Sequence, residues 1–427
     1  MDSSRTARAQ TEKDYNAIVA ENYRHNIPYG MAQGFFFFAG MGLYNFSTIF
    51  TYFIYDLTAS SQIVGLLGTL THFFFMASQF YGITAIEHLP LKKGTILRYG
   101  LFFRLTWLAI GIIALVFPPA AVVAPIFLIY AVGQLLNGIY ILGFFDLMSK
   151  VIPIEHRGRY FGLRNAVSLA SQAGAGYIAG LLIANFSFRG YAFCFLLAFA
   201  VHMIDLLLLA RFKEEPAPRT GAKGNLWSKL ASVPELLRDD ANYRWFCLLR
   251  PAAQISTAVA PFFIVYAGQV LPGVEKMLGT FTAANLIAVG AGTYLGGRIA
   301  DRIGFKKLLE ISAVSIGLVF FAAFLARNYY TFLLFFLLYG LVSGWQMLSL
   351  DNLNMEFGRP ERRPTYIATT NVVSGIILSI APAVAGYLAD RIPFTTIFAA
   401  TGCLMIAVAL VIRRRVVDPR QVEAYRL

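Results

Sequence analysis

A chain of 427 residues that is 57% hydrophobic and 14% charged falls well below the roughly one-quarter charged content of soluble domains, and its mean hydropathy of +0.61 points away from a soluble enzyme. A net charge of +13 suits a nucleic-acid partner only where it forms a basic patch on a water-facing surface. Here the basic residues lie between long apolar runs, so the chain reads as a membrane protein with no nucleic-acid partner.

The polar opening, residues 1–29, shows no signal-peptide pattern, so the first apolar segment is expected to act as an uncleaved anchor. About 20 apolar residues are needed to cross roughly 30 Å of hydrocarbon. Runs of that kind occur near 30–55, 62–86, 96–117, 121–149, 160–185 and 188–212, then, after a polar gap, near 245–270, 277–299, 307–327, 330–354, 366–389 and 393–413. They are numbered here spans 1 to 12. Lipid offers no partner to backbone groups, so each must be helical. The expected fold is all-α and polytopic, with bundles at 30–212 and 245–413 joined by a linker at 213–244 and followed by a tail at 414–427.

With both termini on one side, that side carries 30 of the 36 Lys and Arg residues, and the opposite side carries 4. The positive-inside rule makes the first side cytoplasmic, and the expected location is the plasma (inner) membrane. Within the linker, Trp227, Leu230, Val233 and Leu237 recur at helical spacing, which predicts a helix lying along the membrane surface.

Charge is dense at "IEHRGRYFGLRNAVS", residues 154–168, between spans 4 and 5. Shifting the chain by 206 positions lays this stretch on "PERRPTYIATTNVVS". Glu155 meets Glu361, Arg157 meets Arg363 and Tyr160 meets Tyr366, and further on Ala179-Gly180 meets Ala385-Gly386. Spans 4–5 and 10–11 therefore read as duplicates, as in transporters built from repeats with a site at their interface. The charges of the first copy, Arg159 and Arg164 included, are expected in water at the start of span 5.

A second signature lies between spans 8 and 9. In "GGRIADRIGFKKLLE", Gly297, Asp301, Arg302, Gly304, Lys306 and Lys307 fit G-x-x-x-D-R-x-G-x-K/R-K/R. With six-plus-six spans, the whole chain resembles the major facilitator superfamily. The resemblance implies two six-helix bundles, a cavity lined by spans 1, 4, 7 and 10, and spans 3, 6, 9 and 12 outside. It also implies a cytoplasmic latch of Asp301 and Arg302 against Arg157, Arg159 and Glu155, with a mirror latch at Glu361 and Arg363. The loop between spans 2 and 3 departs from the pattern: Gly82, Lys92 and Lys93 remain, but Ile86-Glu87 or Glu87-His88 replaces the Asp-Arg pair. Span 4 has Gln134, Asn137 and Gly138 without the R-x-x-x-G of proton-coupled drug exporters, and span 5 lacks their Gly-Pro. The drug/proton antiporter branch is disfavoured.

Ionisable groups within spans are costly and mark function by default. Arg104 and Asp205 each lie about 11–12 Å deep at 1.5 Å per residue and are expected to form a structural pair, with His202 one turn away. His202, Asp205 and His72 are also candidates for protonation. Arg250 is expected to pair with Asp351 or Asp146 across the two bundles when the inner side is closed. Asn45, Thr48, Gln134, Asn137, Gln254, Trp345 and Gln346, with Arg250, are the candidate cavity residues. Amides, hydroxyls and aromatics with few charges suit a neutral or weakly charged organic solute.

No phosphate-cradling loop, nucleophile elbow or metal-spaced cluster is present, so neither enzyme chemistry, a cofactor nor a metal is expected. Cys194, Cys247 and Cys403 have no paired spacing and read as small apolar residues. The reading is a monomeric secondary transporter moving a small solute by alternating access, as a facilitator or with protons. A proton-coupled exporter, and a sensor or assembly factor that binds without transporting, are the alternatives.

Overall fold

The computed structural model describes residues 2–86, 89–216, 233–358, 363–422 and 425. Among the described residues there is no strand, and eleven helices are long and apolar enough to cross a membrane. The remaining span, the first, is interrupted: one helix runs Asp2–Leu43, a π-helical turn covers Phe46–Phe50, and a short helix closes at Thr51–Thr58. The residues before position 30, read as a tail, thus belong to the helix of span 1. Their polar groups hold the chain after span 6: Asn26 Nδ2 donates to Lys213 O at 2.9 Å, and Lys213 N donates back to Asn26 Oδ1 at 2.9 Å.

Spans 2 to 6 are the helices Ser61–Ile86, Lys93–Val116, Pro119–Val151, Arg157–Phe186 and Phe188–Ala210. Span 7 is broken into Ala241–Val259 and Phe262–Val270. Pro261 explains the break, since it has no N–H to donate and its ring collides with the carbonyl one turn back. Spans 8 to 12 are Leu278–Ile303, Phe305–Ala322, Tyr329–Glu356, Arg363–Ala389 and Phe394–Arg415. Of the predicted surface helix only Val233–Asp239 lies within the described residues; Trp227 and Leu230 lie outside them. So do Glu87 and His88, the two positions that replace the Asp-Arg pair.

Helix ends follow local chemistry. Asp240 caps span 7 by accepting from Tyr243 N at 2.9 Å, and Asn328 and Thr331 form a reciprocal capping box on span 10. The two arginines of the internal repeat do the same work in duplicate. Arg157 Nε donates to Ile152 O at 3.1 Å and Arg363 Nε donates to Gly358 O at 3.3 Å. Both satisfy carbonyls left over where spans 4 and 10 end, and both bring positive charge to the negative end of a helix dipole.

The chain divides into two compact units. The first comprises residues 1–44, 74–175 and 188–224; the second comprises 45–73, 176–187 and 225–427. The second unit thus includes the ends of spans 1, 2 and 5 that lie on the face opposite the chain termini. The first unit's core is aromatic, with Tyr44 stacked on Trp107 at 3.6 Å between ring centroids. In the second unit spans 8 and 10 cross at backbone contact: a Cβ on Gly344 would lie 2.5 Å from Val289 O, and one on Gly340 2.4 Å from Asn285 O. Small residues allow such close approach where lipid supplies no hydrophobic drive between helices.

Candidate functional site

A cavity of about 340 Å³ opens inside the second unit, within the size range of small-molecule sites. Its wall holds Ser47 and Thr48 of span 1, Gln254, Thr257 and Phe263 of span 7, Asn285 of span 8, and Phe336, Tyr339, Ser343, Gln346 and Met347 of span 10, with Asp351 further along. Both interrupted spans face it. The π-turn of span 1 carries Ser47 and Thr48 to the wall, and the Pro261 break of span 7 lies beside Ala260 and Phe263. Such local disruptions of helical geometry are common at functional sites.

Most polar groups of the wall are held by the fold. Gln346 Nε2 donates to Ala253 O at 3.2 Å and its Oε1 accepts from Ser256 Oγ at 3.2 Å. Asn285 Nδ2 donates to Phe336 O at 3.1 Å. The hydroxyls of Thr48 and Thr282 lie 2.5 Å apart, and Thr48 Oγ1 also reaches Asn45 Oδ1 at 3.0 Å. Gln254 differs: its Oε1 is buried and accepts no hydrogen bond. An orphaned buried acceptor costs about 1–3 kcal/mol, which a donor on a bound solute would remove.

Arg250 is the charged group behind this wall. Its Nη2 lies 3.1 Å from Asp351 Oδ1 and its Nη1 donates to Leu350 O at 3.0 Å. The pair expected across the bundles is instead formed inside the second unit, because spans 7 and 10 belong to the same bundle. Asp146, the other candidate partner, is ion-paired with Lys92 in the first unit. Trp345, expected to line the cavity, does not. It is absent from the cavity wall and packs on Gly296 of span 8. Adjacent helical residues point about 100° apart, so the face that carries Gln346 turns Trp345 away.

The first unit contains a buried charge cluster. Arg104 Nη2 lies 2.5 Å from Asp205 Oδ1, with both side chains fully buried. Arg104 also donates to His202 O at 2.6 Å and Gly100 O at 2.7 Å. His202 Nδ1 lies 3.0 Å from Asp205 Oδ2, and His202 Nε2 lies 3.4 Å from the Tyr44 hydroxyl. Gln33 Nε2 reaches Asp205 Oδ1 at 3.3 Å, and Arg164 Nη2 donates to Gln33 Oε1 at 2.8 Å. Arg164, expected in water, is therefore a second arginine inside the bundle, only 5% exposed. Its guanidinium lies 5.0 Å from the Phe144 ring. One turn further into the helix than Tyr160, it points into the bundle rather than out of the loop.

The remaining predicted residues are dispersed. Gln134 is buried, and Asn137 Oδ1 is buried without a partner. His72 borders a void of only about 10 Å³ among Phe46, Gly68, Pro261 and Pro382. Glu155, Arg159, Asp301 and Arg302 are exposed, and among the described residues Asp301 forms no ion pair. Glu361 lies outside the described residues. The altered loop before span 3 has acquired different partners. Glu214 accepts from Lys92 N at 2.9 Å, Lys93 N at 2.8 Å and Lys150 Nζ at 2.6 Å, so an acid beyond span 6 caps span 3. Sequence reading missed Asn285, Thr282 and Glu214, since nothing in their local sequence sets them apart from packing or linker residues.

Residues 252–425 match the family model of the Major Facilitator Superfamily. No curated protein matches the chain by sequence. The inward-open xylose transporter XylE from E. coli superposes with a TM-score of 0.73 over 94% of this chain and 98% of its own, at 13% identity. A D-xylose–proton symporter gives a TM-score of 0.73 over 93% and 99% at 14% identity. A variant of the nucleoside transporter NupG gives 0.71 over 91% and 99% at 13% identity. At these identities the likeness is one of fold.

Proposed function

We propose that this protein, a member of the major facilitator superfamily and so a secondary transporter in a lipid bilayer, carries a small neutral solute rich in hydrogen-bond donors by alternating access. One observation carries the reading: the cavity of about 340 Å³ is lined by amides, hydroxyls and aromatic rings, and holds an unpartnered acceptor on Gln254. A neutral polyol or nucleoside-like molecule offers hydroxyls to that acceptor and an apolar face to Phe263 and Phe336. Solved transporters of this fold include ones for xylose and nucleosides, which supports the same solute class.

The cluster of Arg104, Asp205 and His202 supports a facilitator. Arg104 pairs with Asp205, and both ring nitrogens of His202 are engaged, Nδ1 with Asp205 and Nε2 with the Tyr44 hydroxyl, so every polar group of the cluster has a partner within the fold. Both termini are assigned to the cytoplasm by the distribution of Lys and Arg.

Uptake of radiolabelled pentoses and nucleosides into proteoliposomes, chosen after a thermal-shift screen of neutral solutes, tests this. Saturable uptake that an imposed pH gradient leaves unchanged is expected. Saturable binding without flux would replace transport with sensing, and uptake driven by the pH gradient would overturn the facilitator.

A further inference from the structure

On the face opposite the chain termini, the second unit contains ends of spans 1, 2 and 5 packed directly on spans 7, 8 and 11. At two of these crossings glycine brings backbone against backbone. A Cβ on Gly180 would lie 2.4 Å from Gly279 Cα, and a Cβ on Gly65 would lie 2.3 Å from Pro382 O and 2.9 Å from Gly386 Cα. Gly180 and Gly386 are duplicates at the 206-residue offset, so one internal repeat makes both crossings. Helices in such contact cannot separate and re-close with any larger residue between them. Around them, Gln269 Nε2 donates to the Tyr55 hydroxyl at 3.1 Å, and Thr69 Oγ1 accepts from Ala383 N at 3.2 Å.

One charged group joins the two halves of the chain here. Asp390, just past span 11, accepts from Ser61 N at 2.7 Å, Gln62 N at 3.0 Å and Ser60 Oγ at 2.8 Å. It adds a charged acceptor to the cap that Ser60 Oγ already gives Ile63 N at 3.4 Å, and satisfies the first two N–H groups of span 2 from 329 residues away along the chain. Ala184 occupies the duplicate position in span 5, so the Gly180–Gly279 crossing has no equivalent carboxylate.

We propose that Asp390 is a one-sided latch: by capping the first turn of span 2 it holds shut the face opposite the termini, and its release opens the solute cavity to that face. The two glycine crossings are the bearing surfaces on which the closed state rests, and the carboxylate sets how long it lasts. The latch rests on the alternating-access reading, because only a carrier must reopen this face. Its partners are backbone N–H groups and a hydroxyl, so any lost cap falls on the closed state alone.

The test uses Met347→Cys in the cavity wall, in a Cys403→Ser background that removes the exposed native thiol, in vesicles of known orientation. The rate of modification by a membrane-impermeant maleimide is read from each face. Asp390→Ala is expected to raise labelling from the face opposite the termini by roughly tenfold, the size of a lost charged cap, with Asp390→Asn intermediate. A Ser61→Cys and Asp390→Cys crosslink is expected to abolish that labelling and preserve labelling from the other face. Unchanged labelling in both Asp390 variants, or labelling that survives the crosslink, overturns the latch. Solute flux through the native chain is measured in parallel: absent flux with the labelling changes intact removes the transport reading and leaves the latch, whereas normal flux with unchanged labelling removes the latch alone.

Discussion

Replacing Arg104 by methionine keeps much of the side chain's volume while deleting its charge. Asp205 then keeps Gln33 Nε2 at 3.3 Å and His202 Nδ1 at 3.0 Å but loses the guanidinium 2.5 Å away, in a site with no exposed surface. The carbonyls of Gly100 and His202 sit inside helices and retain their own ladder bonds, so the uncompensated carboxylate dominates the loss. Breaking a fully buried pair on one side costs about 3–5 kcal/mol. For a unit of this size each kcal/mol moves the midpoint by about 2–4 °C, so the apparent Tm in detergent is expected to fall by roughly 10 °C. The double variant Arg104→Met with Asp205→Leu removes both charges together and is expected to recover most of that loss. A double variant as unstable as the single one would refute the unpaired-charge account. A single variant with the native Tm but lost solute coupling would move the pair from the scaffold to the transport cycle.

Gln254→Ala removes the free acceptor of the cavity and is expected to weaken solute binding about 3- to 10-fold, one neutral hydrogen bond, with Tm near native; an unchanged Kd by calorimetry takes Gln254 out of the site. Arg157→Ala and Arg363→Ala each delete the same carbonyl cap and are expected to lower stability by about 0.5–1 kcal/mol, with similar shifts in detergent melts; a much larger loss in one shows that the duplicates have diverged. Tyr425 donates to both Asp240 oxygens at 2.8 and 2.7 Å, and burial, followed by the Asp240 carboxylate, raises its phenol pKa. Its contribution is thus full below the unfolded value near 10 and is lost as pH rises through the higher folded value; alkaline release of the tail to protease is expected in the native chain and should lose its pH dependence in Tyr425→Phe. For Asp390, burial alone would raise the carboxyl pKa, but the hydrogen bonds from Gln62 N, Ser60 Oγ and Ser61 N outweigh it and hold the pKa below the ordinary range. Its contribution is present above the unfolded value near 3.9 and is lost as pH falls through the folded one, so labelling from the face opposite the termini should be flat from pH 5 to 8.

Much of this architecture is legible without coordinates because the bilayer imposes a length and a helical backbone on every crossing. The twelve runs and the repeat at offset 206 follow from composition and self-comparison. Arg104 and Asp205 could be matched by depth, since axial rise is a fixed quantity per residue. What sequence did not reveal is rotation about the helix axis and the partners of exposed charge. Gln346 reaches the cavity and its neighbour Trp345 does not. Arg164 turns inward toward Gln33 although Arg159, five residues earlier, is exposed. Arg157, assigned to a latch, closes off the helix that precedes it. Long-range capping is equally invisible in a linear reading: Glu214 on span 3 and Asp390 on span 2 are acids in ordinary loops until folding brings a helix N-terminus to them. The sequence by itself determined which segments cross the membrane, because burial in lipid is decided residue by residue. Only the tertiary structure decided which side chains meet, because that depends on azimuth and on contacts between segments hundreds of residues apart.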